Sequence, residues 1–223
     1  MAQYFTDFTG ESVGASPPTG WTARGDATAG WEVLTGPYAG YNTATFSNQY
    51  DFLTWDTVGS VTGDVEIVAL MRFTNDSFPG GVAVHVQSGS VGGYPALFTF
   101  SGDAPAVWLV SAGSDSDIDS DVGTYAVDTD YWIRLQRTGT TVRARFWADG
   151  AGEPGTWQSS GTDATHGSGY VGLFVRNWPG TRTWKKVGVG TGGDAAPTSD
   201  PGGGGGGTSI PVVSAGLRQL MNN

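Results

Sequence analysis

The chain has no cysteine. That excludes disulfides and thiolate zinc sites, and it leaves the redox compartment open. Only 14% of the 223 residues are charged, and histidine occurs twice. Runs rich in Ala, Glu, Lys and Leu, from which long helices are built, are missing. No apolar run approaches the roughly 20 residues of a spanning helix, so membrane insertion is not expected. The opening MAQYFTDFTGES has neither a basic nor an apolar region. A chain without a secretory signal, made in a host cytoplasm, is the expectation.

What is present is glycine, at 37 residues, and aromatic side chains, at 12%. Many turns and bulky core residues without helical periodicity indicate an all-β fold. The length suits one large β domain or two small ones. Net charge is −10, unevenly spread. Residues 1–133 hold 16 acidic and 2 basic residues, whereas residues 134–186 hold 8 basic and 3 acidic. The overall acidity argues against nucleic acid as a partner. The basic segment reads either as a local partner patch or as a face turned to acidic loops of the same chain.

The most informative stretch is YWIRLQRTGTTVRARFWADG, residues 131–150. Tyr131, Ile133 and Leu135 alternate with Trp132, Arg134 and Gln136. Val142, Ala144 and Phe146 alternate with Arg143, Arg145 and Trp147. Two period-two runs joined at Gly139 predict a β-hairpin with one apolar face. Its other face carries three Arg and two Trp.

Further short strands are predicted over residues 3–8, 31–34, 43–46, 52–58, 81–87, 94–100, 107–111, 156–159, 170–176 and 183–189. VEIVALMRF, residues 65–73, is apolar on both faces except Glu66, as a central covered strand would be. The segment from Glu11 to Asp26, GPYAGYN and the acidic run SDSDIDSD read as loops or turns. About a dozen strands at this spacing predict a sandwich or barrel. From Gly190 the composition turns to a glycine-rich spacer, with a tail beyond it. In that tail Ile210, Val212, Val213, Leu217, Leu220 and Met221 are apolar, and the last three share one helical face. The tail is expected to dock on another protein or on copies of itself. The alternative is a disordered or back-folded end.

FTDFTG, GASPPTGWTARGD, the hairpin with its following EPGTWQ, GSGYVGLFVRN and the closing GTGG together resemble the concanavalin A-like lectin/glucanase jelly roll. They are most similar to laminin-G-like modules of tailed-bacteriophage virion proteins, over about residues 3–193. The resemblance implies an antiparallel two-sheet jelly-roll sandwich in which the first and last strands pair. The expected division is a jelly-roll domain at 1–193, a flexible linker at 194–208 and a docking tail at 209–223.

Three chemistries come into question. Trp132, Arg134, Arg143, Arg145 and Trp147 could line a groove for an acidic glycan, since aromatics stack on sugars and Arg grips carboxylates. The alternative is ordinary covering of an outward face by stacked Arg and Trp. Asp115, Asp117, Asp119 and Asp121 invite a calcium reading. They lack the Gly and Glu of an EF-hand loop, and a solvated acidic loop is the alternative. The glucanase branch needs three alternating acids. Here Asp64 and Glu66 are followed by Val68, so no catalytic residue is assigned. His85 and His166 form no metal or nucleophile motif. No cofactor is expected beyond that possible calcium.

The function expected is therefore a non-enzymatic virion structural or surface protein. It would display a lectin-like jelly roll on a capsid or tail, attached through its tail to other virion proteins or to itself. The alternative is a carbohydrate-binding host-adhesion module that uses the Trp/Arg face on a cell-surface glycan.

Overall fold

The computed structural model describes residues 1–25, 30–36, 38–43, 50–74, 80–99, 105–120, 124–176 and 180–201. Among these lie sixteen strands: β1 (Ala2–Thr6), β2 (Trp21–Gly25), β3 (Trp31–Leu34), β4 (Tyr38–Thr43), β5 (Tyr50–Trp55), β6 (Val61–Thr62), β7 (Val65–Phe73), β8 (Gly80–Val86), β9 (Tyr94–Phe98), β10 (Ala106–Ser111), β11 (Ser114–Ser120), β12 (Tyr131–Thr138), β13 (Thr141–Ala148), β14 (Ser159–Thr162), β15 (Ser168–Arg176) and β16 (Gly180–Thr191). The described residues contain no α-helix.

The strands form two antiparallel sheets packed face to face, which is the expected jelly-roll sandwich. The first sheet runs β14-β13-β12-β7-β16-β4-β3. β7 covers one edge of β16, while β4 and then β1 share the other. The first and last strands therefore pair. The second sheet runs β11-β10-β9-β8-β15-β5-β2, with β6 on the start of β15.

β7 shows why the sequence folds this way. Val65, Ile67, Ala69, Met71 and Phe73 point between the sheets, while Val68 and Leu70 point outward and are covered as well. The core around them includes Trp31 and Trp184, whose rings lie 5.3 Å apart, and the stacked pair Trp21 and Trp55. The hairpin of β12 and β13 pairs from Tyr131↔Ala148 to Thr138↔Thr141, the register its alternation predicts. Its two-residue turn has positive φ at Gly139, where a side chain would be strained.

Three expectations are corrected. The acidic run is a strand, β11, at the edge of the second sheet. An edge strand needs backbone pairing on one side only, and charge on it discourages pairing with other chains. Residues 21–25, read within a long loop, form β2 against β5. GPYAGYN, read as a turn, contributes β4 against β3, because a bare Gly40 leaves room for the Leu34 side chain. In each case pairing with a neighbouring strand decides the conformation.

Beyond β16 the chain reverses at Gly192 and Gly193, both with positive φ. Residues 194–197, the start of the expected spacer, then lie back on the outer face of the first sheet. A Cβ on Gly188 would stand 1.9 Å from the Pro197 carbonyl oxygen, and one on Gly190 would stand 2.1 Å from that of Asp194. The glycines of β16 thus form a lane that the returning strap fills.

Candidate functional site

The hairpin does bring Trp132, Arg134, Arg143, Arg145 and Trp147 onto one outward face. Trp132 and each of the three arginines have a polar partner within the chain. Trp132 and Trp147 stack with ring centres 6.1 Å apart and are 8% and 9% exposed. The Trp132 indole donates to Asp149 at 2.8 Å. Arg134 pairs with Glu66 and Glu153 and donates to the carbonyl of Ala196. Arg145 donates to Glu153 at 2.7 Å, and Arg143 to the Gln136 side-chain oxygen. Trp157 lies over both, 4.4 Å from the Arg143 guanidinium and 4.1 Å from that of Arg145.

Glu66 accepts from Arg134, from the Gln136 amide at 2.7 Å and from the Ala196 N–H at 2.9 Å. Asp64 accepts the Gly139 N–H at 2.9 Å. Both carboxylates therefore hold the fold together, and Glu66 shares Arg134 with Glu153.

The aspartates of β11 diverge. A bulge at Ile118 of β11, across from the step between Val107 and Trp108 of β10, puts Asp115 and Asp117 opposite Val110 and Trp108, but Asp119 opposite Val107. An extra residue in a strand flips the residues beyond it to the other face. Asp115 accepts from the Tyr50 hydroxyl and lies 3.7 Å from Arg176, whereas Asp119 caps the Ser160 N–H at 2.7 Å. Among the described residues no three acidic, His or Cys side chains gather as a metal cage. Asp121 lies outside the described residues, and so do the tail residues Ile210, Val212, Val213, Leu217, Leu220 and Met221.

The two histidines, distant in sequence, meet at one end of the sandwich. Nδ1 of His85 is 2.9 Å from the His166 carbonyl oxygen, and Nε2 is 3.1 Å from that of Gly63. Burial pushes the imidazole below its ordinary value, and the Arg137 charge adds to this, against the pull of the two carbonyl contacts. The neutral ring has one N–H and donates to one of these two carbonyls at a time, which positions it as a core polar group.

The outer face of the second sheet is different in kind. In a flat sheet β5 and β11 would stand five strands apart, about 24 Å at ~4.8 Å per strand. Yet Tyr50 of β5 reaches Asp115 of β11. The face is therefore rolled into a trough. Tyr50, Phe52, Trp108 and Phe174 fill its middle, and Arg176 lies 5.4 Å from the Tyr50 ring and 5.8 Å from that of Trp108.

The trough opens at its other end into a cleft of about 360 Å³, lined by Ala23, Arg24 and Gly25 of β2 and by the loop Gln87–Val91. Tyr170 and Val91, both half-buried, pack from here onto the aromatic filling. Arg24 is fixed on three sides. Its Nε donates to Thr54 at 2.8 Å, its Nη2 lies 3.2 Å from Asp56, and its guanidinium sits 4.2 Å over the Tyr170 ring. Asp56 also accepts from Thr22 and Thr54. The loop is tied down by Gln87, whose amide donates to the carbonyls of His85 and Ser168. Its side-chain oxygen is left as an acceptor. Such a cleft, with a cation fixed on an aromatic ring and neutral hydrogen-bonding groups beside it, can hold a small polar ligand.

Sequence reasoning missed this cleft. Arg24 and Gln87, which line it, and Asp56 and Tyr170, which hold Arg24, come from four separated segments, and no spacing motif links them.

No protein-family model matches the chain, and no curated protein sequence matches it. Solved structures do. One is the carbohydrate-binding module CBM66 from Bacillus subtilis, at a TM-score of 0.57 and 18% identity over 75% of this chain and 95% of that one. A second is the VIP36 exoplasmic/lumenal domain in its Ca2+/Man2-bound form, at 0.55 and 10% identity over 85% and 87%. A third is the xylan β-1,4-xylosidase from Bacillus halodurans C-125, at 0.58 and 11% identity over 83% of this chain. Only 38% of that enzyme is covered. At these identities the likeness establishes the fold, a lectin-like jelly roll.

Proposed function

We propose that this domain is a non-enzymatic carbohydrate-binding module whose glycan seat is the cleft between β2 and the loop Gln87–Val91. The observation that carries the reading is the Arg24–Asp56–Thr54 network, held rigid over Tyr170 at the open end of the trough. Groups fixed before a ligand arrives lose little freedom when it binds. Two of the similar folds carry glycan binding in their names, one as a carbohydrate-binding module and one solved with Man2. Fold likeness alone does not fix function, so the cleft carries the argument.

The test is binding of the intact protein to a panel of oligosaccharides, followed by calorimetry on the best of them. Arg24→Ala is expected to weaken binding at least tenfold, with the unfolding midpoint held. Trp132→Ala and Trp147→Ala probe the hairpin face as the competing seat. Loss of binding in those two, with Arg24→Ala unaffected, would move the site to the other sheet.

A display role on a virion, with residues 209–223 as the anchor, is carried by the sequence pattern of an apolar segment behind six glycines. Light scattering on the full chain and on residues 1–201 tests its self-association branch. Assembly of the full chain alone supports the anchor. Monomers in both cases direct the search to a foreign partner, by pull-down on peptide 209–223.

A further inference from the structure

Arg24 is the one charged side chain among the described residues lining the cleft, and Asp56 stands beside that lining, in contact with the Arg24 guanidinium and open to solvent. Its charge is balanced by Asp56, 3.2 Å away, and the two side chains keep 20% and 36% of their surface exposed. Neither can swing aside. Thr54 accepts from Arg24 and donates to Asp56, and Thr22 donates to Asp56 from the other side. The pair therefore offers N–H donors and a carboxylate acceptor side by side, at zero net charge.

We infer that this pair selects uncharged glycans by gripping two neighbouring hydroxyls, and that it rejects uronates, sialates and sulfated sugars. The inference rests on the cleft being the glycan seat. A hydroxyl both donates and accepts, so two on adjacent carbons satisfy Arg24 and Asp56 together. A carboxylate or sulfate satisfies Arg24 but meets Asp56 as a like charge, and like charges brought together oppose binding. The chain's net charge of −10 adds a longer-range repulsion of polyanions. That part fades with salt, whereas the contact with Asp56 persists.

The experiment compares wild-type protein with neutral oligosaccharides (xylo-, manno- and cello-series) and with oligogalacturonate of equal length, at low and at physiological salt. A preference of at least tenfold for a neutral series, kept at the higher salt, is expected. Asp56→Asn, checked for its unfolding midpoint, leaves the cleft with one net positive charge. It should lose at least tenfold on the neutral ligand and gain on oligogalacturonate. Equal or better binding of oligogalacturonate by the wild type overturns the inference while leaving the glycan seat in place. Unchanged neutral binding in Asp56→Asn overturns the paired-hydroxyl contact. Failure of every oligosaccharide to bind the wild type at millimolar concentration overturns the seat itself.

Discussion

The carboxylate of Glu66 accepts the main-chain N–H of Ala196 at 2.9 Å, across 130 residues of chain. Arg134, paired with that carboxylate, donates to the Ala196 carbonyl at 3.0 Å. One buried ion pair thus reads both main-chain groups of a single residue in the strap. Ending the chain at Gly193 leaves both ionic groups short of a partner. A buried polar group so deprived costs about 1–3 kcal/mol. Water reaching the uncovered face offsets part of that, so a loss of about 2 kcal/mol is expected for 1–193 relative to 1–201. Urea unfolding at neutral pH measures it, and equal midpoints would show that the strap adds nothing.

The glycine lane permits a sharper version. Gly188→Ala places a methyl 1.9 Å from the Pro197 carbonyl oxygen, so strap or strand must move. In the full chain the substitution should destabilise by about 1–3 kcal/mol, the range for overpacking. In the 1–193 background, where the strap is gone, it should be close to neutral. The coupling is read as a double-mutant cycle. Additive effects would mean that Gly188 serves some purpose other than seating the strap.

The two tryptophans of the hairpin and the groups of the cleft should separate cleanly by readout. Trp147 is 9% exposed and packs with Trp132, Val68, Leu70 and Ala196. Trp147→Ala is expected to cost about 3–5 kcal/mol of stability, as large buried aromatics do. Glycan affinity at the cleft should stay within about twofold at a temperature where the variant is folded. Tyr170→Ala, on the other sheet, should do the reverse, with weaker binding and a small stability change. Calorimetry and thermal unfolding on both variants give the four numbers needed.

The sequence disclosed the hairpin, the central β7 and the two-sheet class because their signal is local. Alternation along one strand tells which face is buried. The strap left no such trace. Ala195, Ala196 and Pro197 have no periodicity, and their partners Glu66 and Arg134 lie far away in the chain. β11 was hidden for a related reason, since its four-aspartate neighbourhood matches a solvated loop and only pairing with β10 makes it a strand. The cleft was hidden most completely. Arg24 stood in a segment rich in Gly and Pro, and Tyr170 lies 146 positions further on. Only the pairing of β2 with β5, and of β5 with β15, makes them neighbours.

Stability should also carry the mark of His85. The ring is fully buried, and that burial, with the Arg137 charge behind it, holds its folded value below the unfolded one of about 6.5. The unfolded chain therefore binds a proton that the folded one resists. Stability from neutral His85 is present above about pH 6.5 and is lost as pH falls below it. Asp130 behaves otherwise. Burial raises it, but hydrogen bonds from Lys185 and Arg72 prevail and hold it below the ordinary carboxylate value. Its contribution persists until the pH falls below about 4. A decline between about pH 7.5 and 5 is thus assigned to His85. The His85 backbone has a φ of 51°, so His85→Asn is the fitting variant, because Asn tolerates that left-handed conformation. Urea unfolding across this range should show a steeper fall for wild type than for His85→Asn. Parallel curves would place the pH dependence elsewhere in the molecule.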